Sequence, residues 1–401
     1  VGIAGGAVAI GAIIQPRIGL YAATIIVLCI APLTANPAFG PDIRQITEPL
    51  PGMGLLPHEA MIGAAALGVL RIQVFERDAE LRVGDLLWPI LLLAGVSTLA
   101  FGYGIMRGGD FRMAVWETRA IYLLIPIYLV MTNTIRTRGD LAAFARVAAA
   151  AAFVLSVQAV YRHLVSIRPG YKLELTFDLA FSHEASIIAG LLAMYFVART
   201  LWSASLTGSV GYALLALVPL AALMVMKRRA GIVALDAALI MFAIALFRHS
   251  AFCFVLIVPL AAACFAALLL ATWNNPGGSG QFSRSFQAIT QTSPTQDNGD
   301  DRASDDYRKR ETANIRANIN ARPIQGLGFG QRYDMPQQLP DLSAFWPFFH
   351  YVPHNSVLWM WIKAGILGFL ATVVLFGSGV LRAGQLFRRF NDNPLQPAAI
   401  V

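Results

Sequence analysis

A histidine and an asparagine stand side by side where a polar segment turns into a long apolar run. The segment reads HYVPHNSVLWMWIKAGILG over residues 350–368, and the pair is His354 and Asn355. A histidine can accept a proton near neutral pH because its unperturbed pKa is about 6.5. An asparagine amide offers both a donor and an acceptor. The pair could therefore supply a general base and a hydrogen-bonding neighbour at the start of a helix.

A second set of residues that could take part in chemistry is basic. Lys227, Arg228 and Arg229 follow one another between two apolar runs, and further arginines, among them Arg308 and Arg310, precede His354. A guanidinium can bind phosphate oxygens through two parallel hydrogen bonds. Because charges at membrane depth are costly and usually functional, the pattern predicts an anion site. A wrong assignment of the membrane topology, or a solvated helix tip, remains the alternative for the three consecutive cations.

The elements that must position these residues are membrane helices. The chain of 401 residues is 57% hydrophobic and 13% charged, whereas a soluble domain is about 25% charged. This composition excludes a soluble enzyme and predicts an all-α, polytopic integral membrane protein with about 11–12 transmembrane helices. The predicted spans are residues 2–14, 18–37, 58–75, 86–105, 119–135, 141–161, 184–202, 210–226, 230–247, 251–273 and 355–381.

Arginines in the short loops predict the orientation of these spans. One set of alternating loops carries most of them, and taking that set as cytoplasmic places residues 274–353 outside. The Lys227–Arg229 tip then also lies outside, against the charge rule. The net charge of +8 fits this orienting role, and we expect no nucleic-acid partner. The cytoplasmic set is Arg17, Arg71, Arg77, Arg82, Arg136, Arg138, Arg199, Arg248, Arg382, Arg388 and Arg389; the outer group adds Arg119, Arg162, Arg168 and Lys172.

The domain organisation follows from this pattern. We expect a helix bundle over residues 1–273, a loop on the outer face over 274–353 and a C-terminal membrane segment over 354–401. Residues 274–301 are rich in Gly, Ser, Thr, Gln and Asn, which is typical of a mobile stretch.

A lid-like helix is predicted within this loop, over residues 304–322. Ser304 would cap it, Ile315 and Ile319 would face the membrane, and Pro323 would end it. On this prediction Asn318 lies on the upper, solvent-facing side.

Other motifs favour structural interpretations. The string GLGFG at 326–330 lacks the strand and helix of a nucleotide site and predicts a flexible turn. The acidic residues Asp300, Asp301, Asp305 and Asp306 fit a solvated helix start better than a metal site. Cys29, Cys253 and Cys264 lie in apolar runs without a pairing pattern, so neither a disulfide framework nor zinc is expected.

Three blocks of the C-terminal half carry a family resemblance. They are RRAGIVAL at 228–235; Tyr307 and Arg308 followed by ARPIQGLGFG at 321–330; and His354 and Asn355 with two later glycines. In order and spacing they resemble the O-antigen ligase and O-antigen polymerase superfamily of bacterial envelope glycosyltransferases. Two positions depart from the pattern: Arg228 replaces a small hydroxyl residue, and Lys363 stands where many members have an acid.

The resemblance implies a fold of the GT-C type and a reaction at the periplasmic face of the bacterial inner membrane. A saccharide would pass from undecaprenyl diphosphate to a hydroxyl on a lipid- or glycan-linked acceptor, with inversion and with neither metal nor cofactor. Membrane lipids would be the other partners. It implies catalytic roles for His354, Arg229 and Arg308, and substrate-binding roles for Arg228, Asn355, Lys227, Arg310 and His183.

Several alternatives stay open at this point. Within the superfamily, a ligase-type transfer is preferred over a polymerase that uses another lipid-linked repeat as acceptor. A polysaccharide-lipid transporter would show repeated halves with broken helices, which we do not find. A non-catalytic membrane subunit would not need the three blocks.

Overall fold

The computed structural model describes residues 2–30, 55–76, 80–166, 183–203, 205–226, 229–249, 299–341, 343 and 348–390, with scattered residues between 254 and 271. All regular secondary structure in these ranges is helical. Six of the described helices are long and apolar enough to cross a membrane, and three apolar helices are shorter. The chain is therefore an all-α polytopic membrane protein, as its composition predicts.

The helix boundaries follow most of the apolar runs closely, but the last helix ends at Phe390 rather than near residue 381. The fifth helix begins at Phe111 rather than near residue 119, because Asp110 caps it by accepting from Met113 N at 3.1 Å. The predicted span at 251–273 lies largely outside the described residues. The helices are α1 (Gly2–Ile14), α2 (Pro16–Ile25, continued by a π-helical turn at Ile26–Ile30), α3 (Pro57–Phe75), α4 (Leu87–Met106), α5 (Phe111–Thr134), α6 (Arg138–Ser166), α7 (His183–Leu201), α8 (Leu206–Met226), α9 (Arg229–His249), α10 (Gly299–Ala321) and α11 (Ser356–Phe390).

Several arginines of the predicted cytoplasmic set gather at one end of the bundle, called here the Arg17 end. Arg17 pairs with Asp140 at 2.7 Å, where α2 and α6 begin. Arg71 donates to the Ile14 carbonyl at 3.0 Å, where α1 ends. Further along, Arg382 of α11 pairs with Asp85 before α4, and Arg136 bonds to the carbonyls of Glu80 and Asn133. The structure thus confirms that these loops share one end.

The opposite end, called here the His354 end, collects the elements that carry the candidate site. It holds the end of α4, the starts of α5 and α11, and the segment after α10. The start of α9 lies beside the end of α8 and the start of α7, since an added Cβ on Gly231 would meet Leu223 and Ser186. The alternation of helix directions therefore places Arg229 at the same end of the bundle as His354.

The GLGFG segment is a tightly fixed turn, so the predicted flexibility is wrong. Gly326, Gly328 and Gly330 have φ of 68°, 90° and 77°, the left-handed region that favours glycine. The helix α11 is interrupted at Gly365, and the freed carbonyls of Ile362 and Lys363 accept from Leu327 N and Gly328 N at 2.7 and 2.9 Å. The turn and the break in α11 thus satisfy each other's backbone groups.

Candidate active site

The helix α10 positions the site through an asparagine-rich buried face. Asn314 exchanges two hydrogen bonds of 2.8 Å with the backbone of Gln337. Asn318 makes the same exchange with Asp334, at 2.7 and 2.9 Å. With Ile315 fully buried between them, this face holds the segment that leads to His354.

Two details of the predicted lid helix are wrong. The helix begins at Gly299, five residues before Ser304, so Ser304 is inside it and cannot be its cap. Asn318 is only 4% exposed and belongs to the packed face, not to the upper side. Isoleucine spacing defines a row but not the width of a buried face, and on this helix polar residues fill the rest of that face.

The central contact joins α10 to the start of α11. Glu311 Oε1 lies 2.9 Å from His354 Nδ1 and also accepts from the His354 backbone N–H at 3.3 Å. Glu311 is only 3% exposed, whereas 43% of the His354 side chain is open. An ionised carboxylate only accepts hydrogen bonds, so Nδ1 must donate. In the neutral imidazole the other ring nitrogen, Nε2, is then the acceptor.

Two tyrosines enclose the buried carboxylate. The Tyr307 ring meets the His354 ring edge-on, with centroids 5.5 Å apart. Burial, followed by the charge of Glu311, raises the pKa of the Tyr307 phenol well above its ordinary value. The same two causes raise the pKa of Tyr333, which is 3% exposed. Both phenols therefore stay neutral at physiological pH.

Asn355 has a structural contact of its own. Its side-chain oxygen accepts from Leu358 N at 3.1 Å, which caps the start of α11. The cap satisfies one of the free N–H groups of the first turn and fixes the helix start next to His354.

Arg308 and Arg310 are exposed on the flanks of α10. Arg308 directly follows Tyr307, which touches His354, and precedes Glu311 by three residues. Helical spacing therefore places Arg308 and Arg310 on opposite flanks of the face of α10 that contacts His354 through Tyr307 and Glu311. Arg229 and His183 begin α9 and α7 at this end of the bundle, but their side chains lie outside the described part, as do Lys227 and Arg228 entirely.

Arg119, which the sequence analysis assigned to the outer basic group, forms an ion pair with Glu59. Its Nε donates to Glu59 Oε1 at 2.7 Å, and its guanidinium lies 4.0 Å from the centre of the Trp116 ring. Glu59 therefore offsets the charge of Arg119, which we had assigned to an outer anion site.

Sequence reasoning missed Glu311 as the partner of His354. A signal was available, because Tyr307, Glu311 and Ile315 are spaced four apart and share one face of the predicted helix. The departure at Lys363 directed attention away from an acid near the histidine. In the structure, Lys363 instead lies 2.7 Å from Glu117 on α5.

The comparison with known families points to the same region. Residues 212–373 match the family model described as O-antigen ligase. Residues 212–373 are therefore similar to the O-antigen ligase family, and this segment is called here the ligase-family domain. The matched range includes α9, α10, the fixed glycine turn and the contact between Glu311 and His354, and it confirms the resemblance to the ligase and polymerase superfamily. No curated protein and no solved structure was found to match the chain.

The ligase-family domain shows no evident metal centre in the part that is described. Among those residues, no three His, Cys, Asp or Glu side chains are grouped closely enough to hold a metal ion. The side chains of Asp300, Asp301 and Asp305 lie outside that part. Independence from metal therefore stays a prediction.

Proposed function

We propose that this protein transfers a saccharide from an undecaprenyl-diphosphate-linked donor to a hydroxyl acceptor, as a ligase of the O-antigen type. The reaction takes place at the His354 end, which we assign to the periplasmic face of the bacterial inner membrane. The contact between Glu311 and His354 carries the proposal, because it gives a half-exposed imidazole a fixed orientation. The ligase-family match supports the choice of substrate class.

The imidazole acts as the general base. The acceptor hydroxyl donates its proton to His354 Nε2 while its oxygen forms a bond to the anomeric carbon. Glu311 holds the ring by accepting from Nδ1 at 2.9 Å and stabilises the imidazolium that results. Glu311 is buried and the His354 ring is half open, which supports a proton acceptor on the substrate side of the ring.

The leaving group requires positive charge. The bond between the anomeric carbon and the phosphate oxygen breaks, and undecaprenyl diphosphate leaves with the electron pair. Arg308 and Arg310 flank the face of α10 that contacts His354, and we propose that they bind the phosphate oxygens as the charge on those oxygens grows. Arg229 is proposed to join them from the start of α9. Attack from the face opposite the diphosphate gives inversion.

The decisive experiment measures transfer and donor binding together. Purified protein is given a lipid-linked glycan of defined structure and an acceptor, and transfer rate and donor affinity are recorded for Glu311→Gln and His354→Ala. We expect both variants to keep donor affinity and to lose about 10²–10⁴-fold in rate, the usual contribution of a positioned base.

The matched control is Asp306→Asn, which makes the same kind of change at an exposed carboxylate on α10. It should transfer at the wild-type rate. Wild-type transfer by His354→Ala would overturn the proposed base. A polymerase would be distinguished by the acceptor, because only a second lipid-linked repeat would then be elongated.

A further inference from the structure

A second basic site lies at the opposite end of the bundle from His354. A cavity of about 410 Å³ opens there between α1, α2, α3 and the end of α5. Its size suits a headgroup rather than a single small ion, since ligand sites of roughly 300–1,000 Å³ take drug-sized molecules. Three arginines line it, Arg17, Arg71 and Arg136, against one carboxylate, Glu76.

The arginines are held in place by contacts that leave donors for a ligand. Arg17 pairs with Asp140, Arg71 donates to the carbonyls of Ile13 and Ile14, and Arg136 donates to backbone carbonyls near the end of α5. Each guanidinium has five N–H groups, and these contacts use only part of them. Three oriented cations therefore meet in one cavity, a donor arrangement that matches phosphate oxygens.

Gln73 gives an independent indication of a missing acceptor. It lines the same cavity, and its side-chain nitrogen is buried without a hydrogen-bond partner among the described residues. A buried donor without an acceptor costs free energy. An anionic oxygen in the cavity would satisfy it.

Exposed apolar side chains lie on two of the helices that form the cavity. Ile14, which lines it, is 64% exposed, and Val74 and Phe75, which follow Gln73 at the end of α3, are 75% and 77% exposed. Apolar side chains beside a cluster of arginines fit a molecule with acyl chains and a phosphate. A free anion would use the arginines but not the apolar side chains.

We propose that this cavity binds the phosphate headgroup of an anionic phospholipid from the leaflet at the Arg17 end. Basic pockets between transmembrane helices are suited to such headgroups. The headgroup phosphate contacts the arginines and Gln73, and the acyl chains lie along Ile14 and the end of α3. The site is separate from the transfer centre.

The test is a lipid titration of the purified full chain in detergent, followed by native mass spectrometry. The probes are phosphatidylglycerol, phosphatidylcholine and inorganic phosphate. We expect phosphatidylglycerol to bind at least fivefold more tightly than phosphatidylcholine. We expect Arg136→Gln to reduce that affinity about fivefold, since each basic residue near an anionic headgroup contributes about that factor.

Gln73→Glu is the sharper variant, because it keeps size, removes no described hydrogen bond and places a negative charge in the cavity. It should also lose at least fivefold, while Arg146→Gln, an exposed arginine outside the cavity, should bind as wild type does. Equal affinity for the two lipids, or wild-type binding by Gln73→Glu, would overturn the proposal. If inorganic phosphate alone displaces phosphatidylglycerol completely, the site takes a soluble anion and the lipid assignment is wrong.

Discussion

Lys363 Nζ lies 2.7 Å from Glu117 Oε1, and both side chains are fully buried within membrane helices α11 and α5. Lys363 also donates to the Gln331 carbonyl, and Glu117 accepts from Gly330 N at 2.6 Å. The pair thus connects two helices to the turn that leads toward the site. A buried pair of opposite charges is stable only when further hydrogen bonds offset its desolvation, as those to the turn do here.

Removing one member of this pair should be strongly destabilising. Lys363→Met leaves the Glu117 carboxylate buried without its cation, a loss that typically costs about 3–5 kcal/mol. The double change Lys363→Met with Glu117→Gln should be milder, because no charge remains and the new amide oxygen can still accept from Gly330 N. Thermal unfolding followed by tryptophan fluorescence measures both. A single variant as stable as the wild type would contradict this account.

The glycine turn should tolerate no side chain. Gly328→Ala would bring a Cβ into collision with Gly104 of α4 and would impose a φ of 90° on alanine. The left-handed backbone alone costs about 1–2 kcal/mol, and the collision adds to it. We expect a lower unfolding temperature and slow transfer. Gly102→Ala on the same helix as Gly104 meets nothing within 4 Å and should behave as the wild type.

A substitution on the buried asparagine face of α10 tests whether this face holds the site in place. Asn318→Asp removes two donated hydrogen bonds and points a charge at the Asp334 and Asn314 carbonyls. Loss of buried hydrogen bonds costs about 1–3 kcal/mol, so stability and transfer should both fall. Asn320→Asp makes the same change at an exposed position of the same helix and is the matched control. Equal tolerance at both positions would mean that the face does not hold the site.

We expect binding of the donor phosphate to depend on Arg308, which lies on one flank of α10. Arg308→Gln should weaken donor binding and slow transfer by about 10²–10³, the usual cost of one preorganised electrostatic contact. Arg308→Lys should restore only part of this, because lysine keeps the charge but not the planar fork. Arg316→Gln removes an exposed arginine further along α10 and should have little effect. Normal donor affinity in Arg308→Gln would move the phosphate site elsewhere.

The membrane orientation can be tested by labelling. In a background without native cysteines, a cysteine at Ala230 and one at Ser279 should both react with a membrane-impermeant thiol reagent in intact cells. Both positions belong to the face that we assign to the periplasm. Protection at Ala230 together with labelling at Ser279 would remove Arg229 from the proposed site.

Many of the membrane helices could be predicted from the sequence, because helix formation in a membrane depends on local properties. Apolar runs of bilayer length define spans wherever the chain is described, since every backbone polar group in lipid must be bonded within the helix. Several of the arginine-bearing loops that were assigned to one face, those of Arg17, Arg71, Arg136 and Arg382, do meet at the Arg17 end. The three motif blocks predicted the ligase-family domain and drew attention to His354 and Arg308.

Which side chains meet was decided only by the tertiary structure. Glu311 reaches His354 across 43 residues, and Lys363 finds Glu117 on a helix from the other half of the chain. Periodicity shows which residues share a helix face, but it does not show what that face packs against. On α10 the sequence analysis placed Asn318 on the wrong side of the helix. Its side chain is buried because the backbone of Asp334, in a later segment, satisfies its hydrogen bonds. Packing determines which polar residues distant in sequence become partners, and such pairs cannot be predicted from the hydropathy pattern.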